Sequence, residues 1–375
     1  MSVKHSSTPE PDSLRAPALS VLIVNFNSWP DVSTLATELV KSTGFREKRA
    51  ELVVVDNAST DPPPEELTKL GHGVKLALQT DNGGFSAGVN AGWRAASGRW
   101  LLLLNPDVTA GTELIDTLLT KIRDLESHGS KAPGIVGFAL QNPDGSPQAS
   151  VGAEPGLLRT LIEPFIPRSR RKYKPAHKVV AGPVPWVTGA CALVDRKILE
   201  TLGGMDENFF LYYEEVALCR STRALGRSVE YDPTIQVIHL RPLQNRSISP
   251  LMRVVTRHSR LVFFRNYQPA WEFRSMVWLT RLEATLRAAW SAIKNRPDET
   301  HAWQAIQALA VTMGQGQQIN GRTARDLAYQ SQAQKPVVTI PQNRGPHLKP
   351  RSHSLRLQER SQDPSSTQES RSRSN

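Results

Sequence analysis

The run Trp100-Leu101-Leu102-Leu103-Leu104, closed by Asn105-Pro106-Asp107-Val108, limits what this chain can fold into more than any other stretch. An unbroken apolar run of this kind predicts a strand buried on both faces, as in a parallel sheet. Proline cannot donate to a sheet ladder, so pairing is expected to stop at Pro106. Asp107 then stands at the carboxyl end of a central strand, where open α/β sheets place their ligands. A carboxylate there can hold a divalent cation against a diphosphate. Asn-Pro-Asp is equally good turn chemistry, and the stretch alone leaves both readings open.

Neighbouring segments extend the pattern. Residues 19–24, 51–55 and 74–78 read as further strands. Asp31 can cap a helix reaching residue 42; a small-residue helix is expected over 87–97 and an amphipathic one over 113–125. Strands alternating with helices argue for a parallel α/β sheet. The second half reads differently. It holds a hairpin over 135–151 turning at Pro143-Asp144-Gly145, a basic loop over 159–178 and a strand over 184–194. Helices are expected over 195–202 and 214–225, and short strands over 228–231 and 234–239. From 249 to about 314 the pattern is helical, with Arg and Trp interleaved.

Four places can carry chemistry. Asp56 ends the second strand as Asp107 ends the fourth, and it can accept hydrogen bonds from a base or ribose, or close an Asx-turn. Asn82-Gly83-Gly84-Phe85-Ser86-Ala87-Gly88-Val89-Asn90 lets backbone approach a ligand and leads into a helix N-terminus; tight helix–sheet packing is the competing account. It is not a dinucleotide fingerprint, which belongs after the first strand, where Asn25-Phe26-Asn27 has no glycine. Phe209-Phe210-Leu211-Tyr212-Tyr213-Glu214-Glu215 sets two carboxylates at a helix start behind aromatic rings, suited to the helix dipole or to a general base. His239 ends a strand, and imidazole suits a transition metal such as manganese.

Net charge of +11 points to an anionic partner: nucleic acid, an acidic membrane surface or a phosphorylated substrate. Much of that charge lies in the 159–178 loop, the helical region and the tail, so no nucleic acid is expected at the core. Cys191 and Cys219 alone imply no disulfide framework. The amino terminus lacks the apolar centre of a signal peptide, and no run reaches the ~18 residues of a spanning helix. On the helix over 271–294, Trp271, Trp278, Leu282 and Leu286 share a stripe flanked by Arg274, Arg281 and Arg287, as on an interfacial helix or one packed on its own domain.

In order and spacing, these stretches resemble the inverting family 2 glycosyltransferases with the GT-A fold, most nearly the rhamnosyltransferase-like branch of bacterial polysaccharide synthesis. Val24-Asn25-Phe26-Asn27, Val55-Asp56-Asn57-Ala58-Ser59, the Asn82–Asn90 stretch and Asn105-Pro106-Asp107 match its nucleotide-binding half. Gly189-Ala190-Cys191, Gly203-Gly204-Met205-Asp206-Glu207, Phe210–Val216 and His239 match its acceptor half. The resemblance implies an α/β GT-A fold, a Rossmann-like mostly parallel sheet with flanking helices and a C-terminal helical extension. It implies a catalytic domain over 18–248; composition adds a disordered 1–17 and a disordered basic tail over 334–375, and the Trp and Arg pattern a helical, membrane-associating region over 249–320.

The same resemblance implies the site. Asn25, Asp56, Asn82, Gly83, Gly84, Phe85, Gly88, Asn90, Asn105 and Asp107 would bind the nucleotide-sugar donor. Asp107 and His239 would hold Mn2+ or Mg2+. Glu215 would be the catalytic base, with Tyr213 and Glu214 on the side of a glycan or polyprenyl-linked acceptor. The expected activity is metal-dependent inverting transfer, with rhamnose from dTDP-rhamnose as the branch's donor. The expected place is cytoplasmic, peripheral on an anionic inner membrane face. The family often reads Glu-Asp-Val-Asp-Leu-Cys where this chain has Ala217 in place of the later Asp. Ala217 and Asn105, where many members have Asp, keep a non-catalytic binding or scaffold protein as the alternative; a nucleotidyltransferase on a similar core is another.

Overall fold

The computed structural model describes residues 16–71, 73–166, 171–241 and 248–332. The expectations for residues 1–15 and for the tail, and the centre of the basic loop, lie outside them.

The strands are β1 (Leu19–Asn25), β2 (Ala50–Asp56), β3 (Val74–Leu78), β4 (Trp100–Leu104), β5 (Val108–Thr109) and β6 (Ile135–Gln141). They continue as β7 (Pro147–Gln148), β8 (Val151–Gly152), β9 (Gly182–Pro183), β10 (Trp186–Val187), β11 (Cys191–Asp195) and β12 (Val229–His239). The main sheet runs β3-β2-β1-β4-β11-β6-β12-β5. The first four are parallel to one another; β11 is antiparallel between β4 and β6, and β12 runs parallel to β6. Every residue of β2 and β4 is buried, which is why β4 and the Leu52–Val55 part of β2 are continuous apolar runs rather than alternating ones. Trp29, Val32, Leu35 and Leu39 of the Trp29–Leu39 helix and Leu114, Ile115, Leu118 and Ile122 of the Glu113–Ser127 helix cover one face.

Small residues bring one helix close to the sheet. The Phe85–Ala95 helix carries Gly88 and Gly92, and a Cβ on Gly88 would stand 2.5 Å from Val24 Cγ1. The helix therefore lies directly on β1 and β2, close enough that only glycine fits.

Three expectations are corrected in detail. The strand expected over 184–194 is two strands, because Thr188-Gly189-Ala190 turns the chain between β10 and β11. The hairpin after β6 ends at β7, and β8 pairs instead with β10 in a separate two-stranded sheet. The 159–178 stretch is not all loop: Leu157–Ile162 is helical. Four helices follow the sheet, Pro250–Tyr267, Ala270–Ile293, Pro297–Gly314 and Gly321–Gln332. The last, beyond the expected end of the helical region, packs mainly on the first. Both cysteines are buried free thiols, and burial pushes each up to about 12.

Candidate functional site

Asp107 and His239 meet because of strand pairing. β5 adds to the edge of β12 with Val108 opposite His239, and the Leu240 amide donates to the Asp107 carbonyl at 2.9 Å. His239 Nε2 then stands 3.2 Å from Asp107 Oδ1. Its other nitrogen, Nδ1, lies 2.8 Å from Gln148 Oε1, while Gln148 Nε2 donates to Asn142 Oδ1 at 3.0 Å. The amide oxygen therefore faces the imidazole, so Nδ1 carries a hydrogen and Nε2 is the nitrogen turned to the carboxylate. Two ligand atoms at adjacent positions of an octahedral Mg2+ site, each at about 2.1 Å, stand about 3 Å apart. The pair fits such an ion in spacing and in chemistry. Among the described residues no group of three or more His, Cys, Asp or Glu is placed to hold a metal. The Arg241 guanidinium pairs with Asp31 and lies 3.8 Å from Asp107 Oδ2. Asn105 shapes the turn: its amide donates to the Ala190 carbonyl at 3.0 Å, joining the end of β4 to the turn before β11.

Asp56 and Asn25 lie side by side on paired strands. Asn25 Nδ2 donates to Asp56 Oδ1 at 3.0 Å, and Ser59 Oγ donates to the same oxygen at 2.5 Å. The Ser59 amide closes the Asx-turn at 3.2 Å to Asp56 Oδ2. The turn is thus real, and it holds the carboxylate still at the strand end.

The glycine stretch is folded around Asn57. Asn57 Nδ2 donates to Asn82 Oδ1 at 2.9 Å and to the Gly84 carbonyl at 3.0 Å, and its Oδ1 accepts from the Gly83 amide at 3.3 Å. Gly84 has φ +91°, and a Cβ there would collide with the Phe210 carbonyl. Phe85 N–H donates to that carbonyl at 2.8 Å. Asn90 points the other way. Its Nδ2 donates to the Met205 carbonyl at 2.9 Å and to Glu207 Oε1 at 2.8 Å, and its Oδ1 accepts from the Met205 amide at 2.8 Å. Both Asn90 amide hydrogens are thus engaged in tying the helix to the Gly203–Glu207 turn. The Gly321–Gln332 helix closes over the loop: Arg322 pairs with Asp81 at 2.9 Å, and Arg325 donates to the Asn82 carbonyl while lying over the Phe210 ring.

Glu214 and Glu215 head the Glu214–Ala224 helix, and both are buried. The turn before them is strained: Tyr212 and Tyr213 have φ +70° and +69°, a region bulky side chains avoid. Such conformations persist only where the surroundings impose them. Here the Pro250–Tyr267 helix does so: Ser259 Oγ donates to the Leu211 carbonyl at 2.8 Å, and Tyr213 packs on Phe263 with centroids 5.4 Å apart. Burial and the adjacent Glu215 raise the Glu214 carboxyl well above the usual carboxylate range. Glu215 Oε1 accepts from Lys172 Nζ at 2.8 Å. A Cβ on Gly189 would stand 3.5 Å from the Phe85 ring and 3.9 Å from Glu215 Cβ, so the Phe85 ring and Glu215 converge on this glycine. Ala217, where the family pattern has Asp, is buried.

Sequence reasoning missed Gln148, Asn57, Lys172 and the arginines of the last helix as site residues. It also missed the width of the apolar surface. Trp271, Trp278, Leu282, Leu286 and Trp290 are exposed on the Ala270–Ile293 helix, while Met276, Val277, Thr280 and Ala284 face the protein. Leu158, Leu161, Ile162 and Phe165 are exposed nearby, and a groove of about 480 Å³ lined by Leu157, Leu161, Arg274 and Trp278 joins the two helices. No helix among the described residues is long and apolar enough to cross a membrane.

A mixed, mostly parallel sheet with helices on its faces and carboxylates at its strand ends is the architecture of the GT-A fold. Residues 20–203 match the profile Glycosyl transferase family 2, so the chain carries a domain of that family. It is 27% identical over 293 residues, 72% of this chain and 91% of the relative, to an N-acetylglucosaminyl-diphospho-decaprenol L-rhamnosyltransferase of Mycobacterium tuberculosis. It is 28% identical over 231 residues, 60% of this chain and 68% of the relative, to a low-salt glycan biosynthesis hexosyltransferase of Haloferax volcanii. A mannosyltransferase of Pyrobaculum calidifontis, solved with GDP-Man and Mn2+, aligns with TM-score 0.45 and 16% identity over 82% of this chain and 89% of its own.

Proposed function

We propose that the protein is an inverting, metal-dependent hexosyltransferase. Its donor is a nucleotide sugar, dTDP-rhamnose, and its acceptor a glycan or polyprenyl-linked saccharide. The observation that carries the reading is the convergence of the Phe85 ring and Glu215 on Gly189. Asp56 and Asn25 would receive the base and ribose, with the sugar lying against Gly84 and Phe85. Asp107 and His239 would hold Mn2+ or Mg2+, which supplies positive charge to the departing diphosphate. Arg241, already beside Asp107, would add to that charge. Glu215 would take the proton of the acceptor hydroxyl as it attacks the anomeric carbon from the face opposite the diphosphate, and one such displacement inverts the centre. The Mycobacterium tuberculosis relative, named for a diphospho-decaprenol acceptor, supports the lipid-linked choice.

The proposed location is the cytoplasmic face of the membrane, held peripherally. The exposed Trp271, Trp278 and Trp290 face, bordered by Arg274 and Arg281, supports it. Nucleotide release from a panel of UDP-, GDP- and dTDP-sugars, with a polyprenyl-diphosphate saccharide and Mn2+, tests the activity. Acceptor-dependent release from dTDP-rhamnose is expected. No acceptor-dependent release from any donor overturns the enzyme reading and favours a binding or scaffold role.

A further inference from the structure

Two adjacent carboxyls are buried at the head of one helix, and in each of them Oε2 has no hydrogen-bond partner among the described residues. Two negative charges so close in a weakly polar setting repel strongly, so the pair favours one charge over two. Which carboxyl keeps that charge depends on its neighbours. Lys172, from the far end of the basic stretch, sets its Nζ 2.8 Å from Glu215 Oε1. The ammonium is itself held in a ring of aromatic faces, 5.3 Å from the centroid of Tyr173, 5.4 Å from Trp186 and 5.7 Å from Tyr212. Its backbone is anchored too, since the Arg171 carbonyl accepts from Arg159 Nη2 at 2.6 Å and Lys174 N–H donates to the Val151 carbonyl at 2.8 Å.

We propose that Lys172 is a positioning residue for transfer: its ammonium, bound to Oε1, assigns the single negative charge of the pair to Glu215 and fixes the orientation of its carboxylate. The inference rests on Glu215 being the base. Burial by itself would lower the Lys172 ammonium; Glu215 more than reverses this and keeps it well above its usual range, so Lys172 stays charged while the base works. The proton taken from the hydroxyl stays on Glu215 until it leaves to solvent, and the new glycosidic bond forms as the bond to the diphosphate breaks. Lys172 gains and loses nothing.

The other groups facing the pair are the Tyr212 phenol and the Cys219 thiol, both raised by burial and both neutral over the working range. Beyond them Arg223 is paired with Glu154 at 2.5 Å, and Tyr173 faces Lys172. None supplies a second cation to Glu215.

The test is the pH profile of kcat/KM for transfer by the full-length protein, with thermal melts as a check on folding. Lys172→Met should move the acid limb up by about one unit or more, because a base without its cation is protonated at higher pH. Lys172→Arg should return it most of the way. Glu214→Gln, added to Lys172→Met, should bring the limb part of the way back by removing the competing carboxyl. A Lys172→Met enzyme that is slower with its limb unmoved assigns Lys172 a merely structural role and overturns the inference. Lys172→Gln serves the same test where the Met variant does not fold. Glu215→Gln separates the two levels: full turnover there ends the base reading itself, whereas lost turnover with an unmoved Lys172→Met limb ends only the role of Lys172.

Discussion

Gln148 Oε1 and His239 Nδ1 lie 2.8 Å apart, and this contact aims the opposite face of the imidazole at Asp107. Removing an outer partner of this kind costs about 10–100-fold in metal affinity. Gln148→Ala should therefore raise the Mn2+ concentration for half-maximal transfer by that factor, with kcat at saturating metal nearly unchanged. Asp107→Ala should abolish transfer. Undiminished transfer in excess EDTA would remove the metal role altogether.

Gly84 has φ +91° and no room for a Cβ under the Phe210 carbonyl. Gly84→Ala must either twist the loop or push Phe210 away. Holding a side chain in such a conformation costs on the order of 1–3 kcal/mol before any collision. The variant should melt lower and bind donor at least about tenfold more weakly, by roughly 1.4 kcal/mol. Donor affinity equal to wild type by titration would show that the loop does not touch the donor.

His258 is fully buried, and its Nε2 sits 2.8 Å from the Ile319 carbonyl just before the last helix. Burial lowers its folded pKa from 6.5 to about 4. Between those values the unfolded chain binds the proton and the folded chain does not, so stability must fall as pH drops from about 6.5 to 4. The full loss is about 3 kcal/mol, at roughly 1.4 kcal/mol per pKa unit. His258→Gln should flatten that part of the curve of melting temperature against pH. An unchanged slope would assign the acid sensitivity elsewhere.

The exposed tryptophans can be tested without catalysis. Trp278 is 61% exposed and Leu161, which lines the same groove, 46%. The protein should co-sediment with anionic liposomes and be partly released by salt, since each basic residue near such a surface contributes about 1 kcal/mol that ions screen. Replacing Trp271 and Trp278 with Ser should release more, at an unchanged melting temperature because neither side chain is core. Equal, negligible binding to neutral and anionic liposomes would end the membrane reading.

The parts of this fold legible in sequence were those where one local rule decides. β4 and the Leu52–Val55 part of β2 are buried on both faces and read as apolar runs; Asp195 caps its helix by accepting from Lys197 N–H, as its position before that helix suggests. Asp107 and His239 could each be named from a strand end, but not their meeting, which depends on a two-residue strand pairing with the edge of β12. Gln148 sits on another two-residue strand and carries no local signal. Lys172 looked like one charge among many in a basic stretch; only the tertiary fold brings it to Glu215. The Gly321–Gln332 helix escaped because its Arg, Gln and Ala composition resembles the polar tail that follows it.

That last helix has a consequence for how the protein is made. Arg325 donates to the Asn82 carbonyl, and 243 residues separate the two in the chain. Synthesis delivers the amino-terminal part first, and it folds first. A nascent chain that has already built its sheet still lacks the cover over its glycine loop until the Gly321–Gln332 helix has emerged. If that loop receives the donor as proposed, affinity for it would be acquired only then, and a chain released earlier would carry residues 20–203 with the loop uncovered.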